Sequence, residues 1–184
     1  MIIADTPRLF IRQFHLFDQT ALEAVFCDPE VMRYGPGVQS REWIAAWLRD
    51  CLDCYFRKYG FGPWAVVAKS TREVIGYCGL FVYPDIAGKT EIEIGYRLGR
   101  ACWGHGYATE AAAAVRDYSF NVLSLARLVA LIDPHNKPSR RVAEKLGMRY
   151  EREVMLPGYT YPDHLYALAR PGSRALSAER PDHS

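Results

Sequence analysis

The chain has 184 residues, 49% hydrophobic and 24% charged, which suits one folded domain with a substantial core and excludes wholesale disorder. Its formal net charge of +2 lacks the strong basic excess of a nucleic-acid binder, and no apolar run is long enough to span a bilayer. Met1-Ile2-Ile3-Ala4-Asp5 has no charged region leading into an apolar stretch, so no signal peptide and a cytoplasmic location are expected.

Arg8-Leu9-Phe10-Ile11-Arg12 reads as a first strand. Residues 18 to 26 read as a helix, stopped by Asp28-Pro29. From Ser40, a good N-cap, Trp43, Trp47, Cys51 and Tyr55 recur every four residues and mark one face of an amphipathic helix, which the segment Gly60 to Pro63 ends. Trp64 to Ala68 and Val74 to Val82 are β-rich and flank the polar turn Ser70-Thr71-Arg72-Glu73, the pattern of a hairpin. Glu91 to Leu98 alternates polar and apolar residues and reads as a half-buried strand, with Glu91 and Glu93 on one face and Ile92 and Ile94 on the other. A glycine-rich turn then leads into an alanine-rich helix, Ala108 to Phe120. Leu128 to Ile132 is a short apolar strand. Asn136 to Leu146 reads as a helix with Asn136 as N-cap and Gly147 as its stop. Strands near Arg149 to Met155 and His164 to Ala169 follow. Residues 1–170 form the expected domain, and 171–184 a polar, mobile tail. This order predicts an α+β fold around a mixed, mostly antiparallel sheet with helices on both faces.

The five cysteines, an odd number without a secretion signal, are expected as reduced thiols rather than a disulfide framework, with Cys51 and Cys54 buried or partly buried. The lone pair Cys51 and Cys54 lacks the second pair of ligands that zinc requires, and no metal is expected.

The turn Gly104-His105-Gly106-Tyr107-Ala108-Thr109 lies between a strand and a helix, where glycine allows close backbone approach and the first helical N–H groups point at an anion. It is neither a P-loop, which needs Gly-Lys-Ser/Thr, nor a dinucleotide fingerprint, which needs a third glycine and a later acid. A strand-to-helix turn without a ligand makes the same pattern, so the turn alone leaves both readings open.

Its neighbours carry a resemblance. Glu93-Ile94-Gly95-Tyr96-Arg97-Leu98 followed by Trp103 to Ala111 resembles the GCN5-related N-acetyltransferases, the GNAT superfamily. It looks most like the ribosomal-protein N-terminal acetyltransferase branch, the RimJ/RimL type. Thr6 to Arg12, Asn136 to Met148 and Asp163 to Leu168 agree in order, so the resemblance spans roughly residues 6 to 170. One departure stands out: the first position of the family's acyl-CoA signature, Gln or Arg, falls on Ala101, with Arg100 adjacent.

The resemblance implies an acetyl-CoA-dependent N-acetyltransferase with no metal. It implies that the pyrophosphate rests on backbone N–H groups of Gly104 to Thr109 and that the pantetheine arm pairs along Ile94, Gly95, Tyr96, Arg97 and Leu98. Gly95 would sit at a bulge; relief of crowding against a neighbouring side chain explains it equally. Glu93 is the implied general base, with solvation or cross-strand pairing the plainer reading. Asn136 matches a cofactor-contacting residue and Ser139 a hydroxyl acid for the leaving thiolate, although both residue types also cap helices well. Tyr150 is a weaker acid, Arg140, Arg141 and Lys145 are partners for the 3′-phosphate or a solvated face, and His164 beside Asp163 borders the acceptor site.

The resemblance implies a primary amine as acceptor. A protein or peptide α-amino group has a pKa near ~8 against ~10.4 for lysine and is the easier one to use. A small-molecule amine, or a non-catalytic acyl-CoA-binding regulator, are the alternatives. A polyamine site would want clustered carboxylates, and Glu23, Asp28, Glu30 and Glu42 of the early helices make no such cluster. Acceptor contacts are expected from those helices and from Leu156 to Pro162. Nothing in the sequence fixes the oligomeric state.

Overall fold

The computed structural model describes residues 1–172, so the tail expected over 171–184 lies, from 173 on, outside the described residues. Strands β1 (Ile2–Asp5) and β2 (Leu9–Arg12) open the chain, followed by helices α1 (Gln19–Phe26), α2 (Pro29–Met32) and α3 (Arg41–Asp50). A π-helical turn, Cys51–Tyr55, joins α3 to α4 (Phe56–Tyr59). Strands β3 (Pro63–Ala68), β4 (Val74–Tyr83) and β5 (Glu91–Leu98) lead into α5 (Tyr107–Asn121). Then come β6 (Arg127–Ile132), α6 (Lys137–Lys145), β7 (Arg149–Val154) and β8 (Asp163–Ala169). The sequence reading missed β1 and α2. Asp28-Pro29 stops α1 as expected but also starts α2, because the Asp28 carboxylate accepts the Glu30 N–H at 2.8 Å and caps it.

The eight strands form one sheet in the order β1-β2-β3-β4-β5-β6-β8-β7. All neighbours are antiparallel except β5 and β6. Alternation along β3 divides the core. Trp64 and Val66 pack with Ala111, Val115 and Ala143 of α5 and α6, whereas Ala65 and Val67 pack with Leu22, Phe26 and Leu48 of α1 and α3. Helices therefore cover both faces, and the expected α+β plan holds. No helix among the described residues is long and apolar enough to cross a membrane.

One detail departs from expectation. The Ser40 hydroxyl caps α3 by accepting the Trp43 N–H, but the deepest face of that helix carries Ile44 and Leu48, while Trp43 is 39% exposed. A four-residue step overshoots a helical turn by roughly 40°, so the line through Trp43, Trp47 and Cys51 drifts across the edge of the buried face. Cys51 is a buried free thiol, as expected; Cys78 is buried and Cys27 exposed, both free thiols.

The parallel pair β5 and β6 places the site. Their ladder registers only Glu93 against Val129. Beyond that point, Ile94 to Leu98 and Ala130 to Ile132 line opposite walls of one cleft. Glu93 Oε1 accepts the Leu131 N–H at 3.2 Å, taking a backbone donor that a continuing ladder would have used.

Candidate functional site

The cleft has a volume of about 420 Å³ and runs from the opening between β5 and β6 to the first turns of α5 and α6. Glu93, Ser139, Asn136, Ile94 to Leu98 and the turn Gly104 to Thr109 all line it, except His105. His105 is exposed, and its carbonyl accepts from Arg8 Nη1 at 2.8 Å, so its backbone buttresses the turn and its side chain lies outside the cleft.

Gly104 and Gly106 both adopt left-handed backbone, φ +78° and +79°, a conformation that costs an L residue about 1–2 kcal/mol. Gly106 is the N-cap of α5 and supplies no side-chain acceptor. The N–H groups of the first turn, Tyr107 to Thr109, therefore face the cleft end without an intrahelical partner, at the positive end of a 15-residue helix. A latch that sequence reasoning did not identify holds this turn. Glu110 accepts from the Thr6 hydroxyl at 2.7 Å, from Arg8 N–H at 2.9 Å and from Arg8 Nε at 2.6 Å. Arg8 also lies 4.7 Å from the centre of the Tyr107 ring. Burial works to raise the Glu110 pKa, but these hydrogen bonds outweigh it and hold the carboxyl below its usual range. The Thr-Pro-Arg start and the Thr-Glu of the turn were its visible signal. Arg100 pairs with Asp28 at 3.4 Å and does not line the cleft; Ala101 supplies no donor.

Gly95 is not at a bulge. The β4–β5 register runs unshifted from Gly76↔Leu98 to Tyr83↔Glu91, with Gly95 opposite Gly79. A Cβ on Gly95 would meet the Phe81 ring at 3.0 Å, so relief of crowding explains this glycine. On the other wall, Asn136 Oδ1 accepts the Ser139 N–H at 3.1 Å and caps α6. The Ser139 hydroxyl lies 3.2 Å from the Tyr96 hydroxyl, a pairing between β5 and α6 that spacing could not reveal. Burial pushes the Tyr96 phenol up to about 12, so it stays protonated. Tyr150 is 51% exposed and packs on His164 and Tyr166; neither Tyr150 nor His164 lines the cleft. Arg140, Arg141 and Lys145 do not line it either.

Glu93 stands at the point where the strands part. Burial pushes its carboxyl from an ordinary value of 4.5 up to about 7, against the Leu131 N–H, a Tyr83 hydrogen bond and the Arg97 charge, which pull it down; Asp163 adds to the rise. Glu91 shares its strand face but is held by Arg127 at 3.1 Å. The segment before β8 contributes Leu156 and Tyr159, as expected of an acceptor wall, and β8 itself contributes Asp163. Of the early region only α2 and the residues after it reach the cleft, through Glu30, Val31, Arg33 and Tyr34, whereas no residue of α1 or α3, the helices expected there, lines it. A proton-accepting carboxylate near neutrality, open helical N–H groups and a hydroxyl pair thus share one cavity. That set suits transfer of an acyl group from an anionic carrier to a nucleophile.

Comparison with known proteins agrees. Residues 8–149 match the acetyltransferase (GNAT) domain. The chain is 42% identical over 154 residues to the uncharacterized protein YkkB of Bacillus subtilis (strain 168), covering 81% of this chain and 86% of that protein. Among solved structures it is similar to an acetyltransferase (GNAT family) from Bacillus anthracis. The TM-score there is 0.77 and the identity 30%, over 92% of this chain and 99% of that one. A ribosomal-protein-S5-alanine acetyltransferase from Vibrio fischeri has a TM-score of 0.74 at 17% identity, over 94% of this chain and 98% of that one, a likeness of fold alone.

Proposed function

The chain belongs to the GNAT acetyltransferase family and is an N-acetyltransferase, and from that premise we propose that it acetylates a primary amine with Glu93 as general base. The observation that carries this reading is the Glu93 carboxyl, at about 7, placed where β5 and β6 part inside the cleft.

Acetyl-CoA supplies the acetyl group as an activated thioester. The residues present fit it: the open N–H groups of Tyr107, Ala108 and Thr109 suit a pyrophosphate, and the divergence of β5 leaves backbone of Ile94 to Leu98 for the pantetheine amides. Gly104 and Gly106 let the chain turn there, and Asn136 presents the first turn of α6. Glu93 takes a proton from the amine nitrogen as that nitrogen bonds to the acetyl carbon. Ser139, hydrogen-bonded to Tyr96, gives a proton to sulfur as the carbon–sulfur bond breaks. A base near 7 matches a weakly basic amine, such as an α-amino group, better than a lysine side chain. The ordered motifs favour the ribosomal-protein N-terminal branch, and a protein N-terminus is the acceptor that branch implies.

The test is thiol release from acetyl-CoA with a panel of amines, amino acids and N-terminal peptides. Turnover well above acetyl-CoA hydrolysis is expected with at least one acceptor. Tight coenzyme A binding with no turnover on any acceptor would instead identify an acyl-CoA-binding regulator.

A further inference from the structure

Two charged groups of the cleft make no ion pair among the described residues, and they share that cleft with Glu93. Arg97 follows Glu93 by four positions along β5, on the same strand face. Among the described residues its guanidinium donates only to Met32 Sδ, at 3.2 Å, and makes no ion pair. The fold makes room for it: a Cβ on Gly35 would stand 2.2 Å from Arg97 Nη2. Asp163, the first residue of β8, is 7% exposed and lines the cleft, and its buried Oδ1 has no hydrogen-bond partner. Its neighbour Asp133 is engaged, with Oδ1 accepting the His135 N–H at 2.7 Å and Oδ2 the Tyr161 hydroxyl at 2.5 Å. The missing carboxylates that the early helices did not provide thus come from the ends of β6 and β8.

Arg97 and Asp163 do not neutralise each other. Both act on Glu93 and on Tyr159, Arg97 lowering and Asp163 raising their proton affinity, yet Arg97 is not among the groups that act on Asp163. Both line the cleft that holds Glu93, and no hydrogen bond or ion pair joins them among the described residues. An uncompensated charge held partly out of water is costly, and a ligand charge of opposite sign removes that cost. A cation and an anion left without an ion pair in one cleft call for a ligand that carries both signs.

We propose that the acceptor is a zwitterionic small amine, an amino acid or short amino carboxylate, whose carboxylate binds Arg97 and whose amino group binds Asp163 beside Glu93. This rests on the acyl-transfer reading above and replaces a protein N-terminus, whose own carboxyl group is tied up in a peptide bond, with a free amino acid. Arg97 meets the carboxylate as a planar donor pair. Asp163 holds the entering ammonium, whose extra proton leaves to water. The proton shed when nitrogen bonds to the acetyl carbon goes to Glu93.

The decisive comparison uses the wild-type protein at saturating acetyl-CoA. Thiol release is measured with the proteinogenic amino acids, their carboxamides, aliphatic diamines and C-terminally amidated peptides. At least one amino acid should exceed its own carboxamide in kcat/KM by roughly 10–100-fold, the worth of one charge-assisted hydrogen-bonded pair. Arg97→Gln should erase that acid-over-amide preference through KM, with coenzyme A affinity within about twofold of wild type by calorimetry. Asp163→Asn should raise KM for acid and amide alike. Diamines, amides or peptides turned over as well as every amino acid would overturn the proposal and leave the transferase standing. No thiol release from any compound, despite coenzyme A binding, would overturn the acyl-transfer reading and this proposal with it. The wild-type comparison stands even if a variant fails to fold.

Discussion

Glu93 has a carboxylate's charge in a place where charge is expensive. Burial raises its pKa from 4.5 to about 7, so the folded state binds the proton more tightly than the unfolded chain between those values. Stability linked to this group is therefore present below about pH 4.5 and is lost as pH rises toward 7. Glu93→Gln, which stays neutral, should be more stable than wild type at pH 8, by roughly 1–3 kcal/mol, and the advantage should vanish near pH 4, as followed by urea melts at both pH values. The same variant should lose about 10²-fold or more in kcat. A gain in stability with a loss of rate separates a working base from a merely structural carboxylate, whose removal would cost both. Position 93 was legible through the family resemblance of Glu93 to Leu98, which implies a base there. Its environment was not: Tyr83, Leu131 and Asp163 come from three other elements, and only the parting of two strands gathers them.

Element by element, the turn before α5 and the short helix α2 both line the cleft that holds Glu93. Replacing Gly106 with Ala forces an L residue into φ +79° and brings a Cβ within 3.5 Å of Arg8 Nη2. A penalty of about 1–2 kcal/mol predicts roughly a tenfold loss of coenzyme A affinity, measurable by calorimetry. Glu110→Gln should weaken the same affinity in the same direction, because it loosens Arg8 from the turn while touching no cleft backbone. Gly35→Ala tests the opposite wall. Its methyl would displace the Arg97 guanidinium, so acceptor KM should rise severalfold or more with coenzyme A affinity unchanged. The helices themselves were readable from periodicity and caps: Ser40, Asn136 and Gly147 all act as expected. The aromatic line on α3 misled because spacing by four mimics a face but drifts around the helix. The short strand β1 and the single turn α2 carry too few residues for any periodicity to show.

Across the whole molecule, the sheet is continuous along its antiparallel ladders and fails at one parallel junction, where Glu93 meets Val129 and the chains then separate. Two cores clamp this break from both faces, one built on α5 and α6 and the other on α1 and α3. That division fits the proposed cofactor residues being legible as one run of sequence, the backbone of Ile94 to Thr109 with the Arg97 side chain set apart, and with Asn136 and Ser139 following in order. It also explains why the acceptor side was not. Arg97, Asp163 and Gly35 come from β5, β8 and the loop after α2, and nothing local links them. The central claim, a family acetyltransferase working through Glu93, meets its most direct test in the pH dependence of thiol release. With saturating acetyl-CoA and the best acceptor of the panel, the wild-type rate should rise about tenfold per pH unit below 7 and level off above it. Glu93→Gln should run about 10²-fold slower at pH 8 with coenzyme A affinity within twofold. A Glu93→Gln protein with the wild-type rate and the wild-type pH profile would contradict the claim.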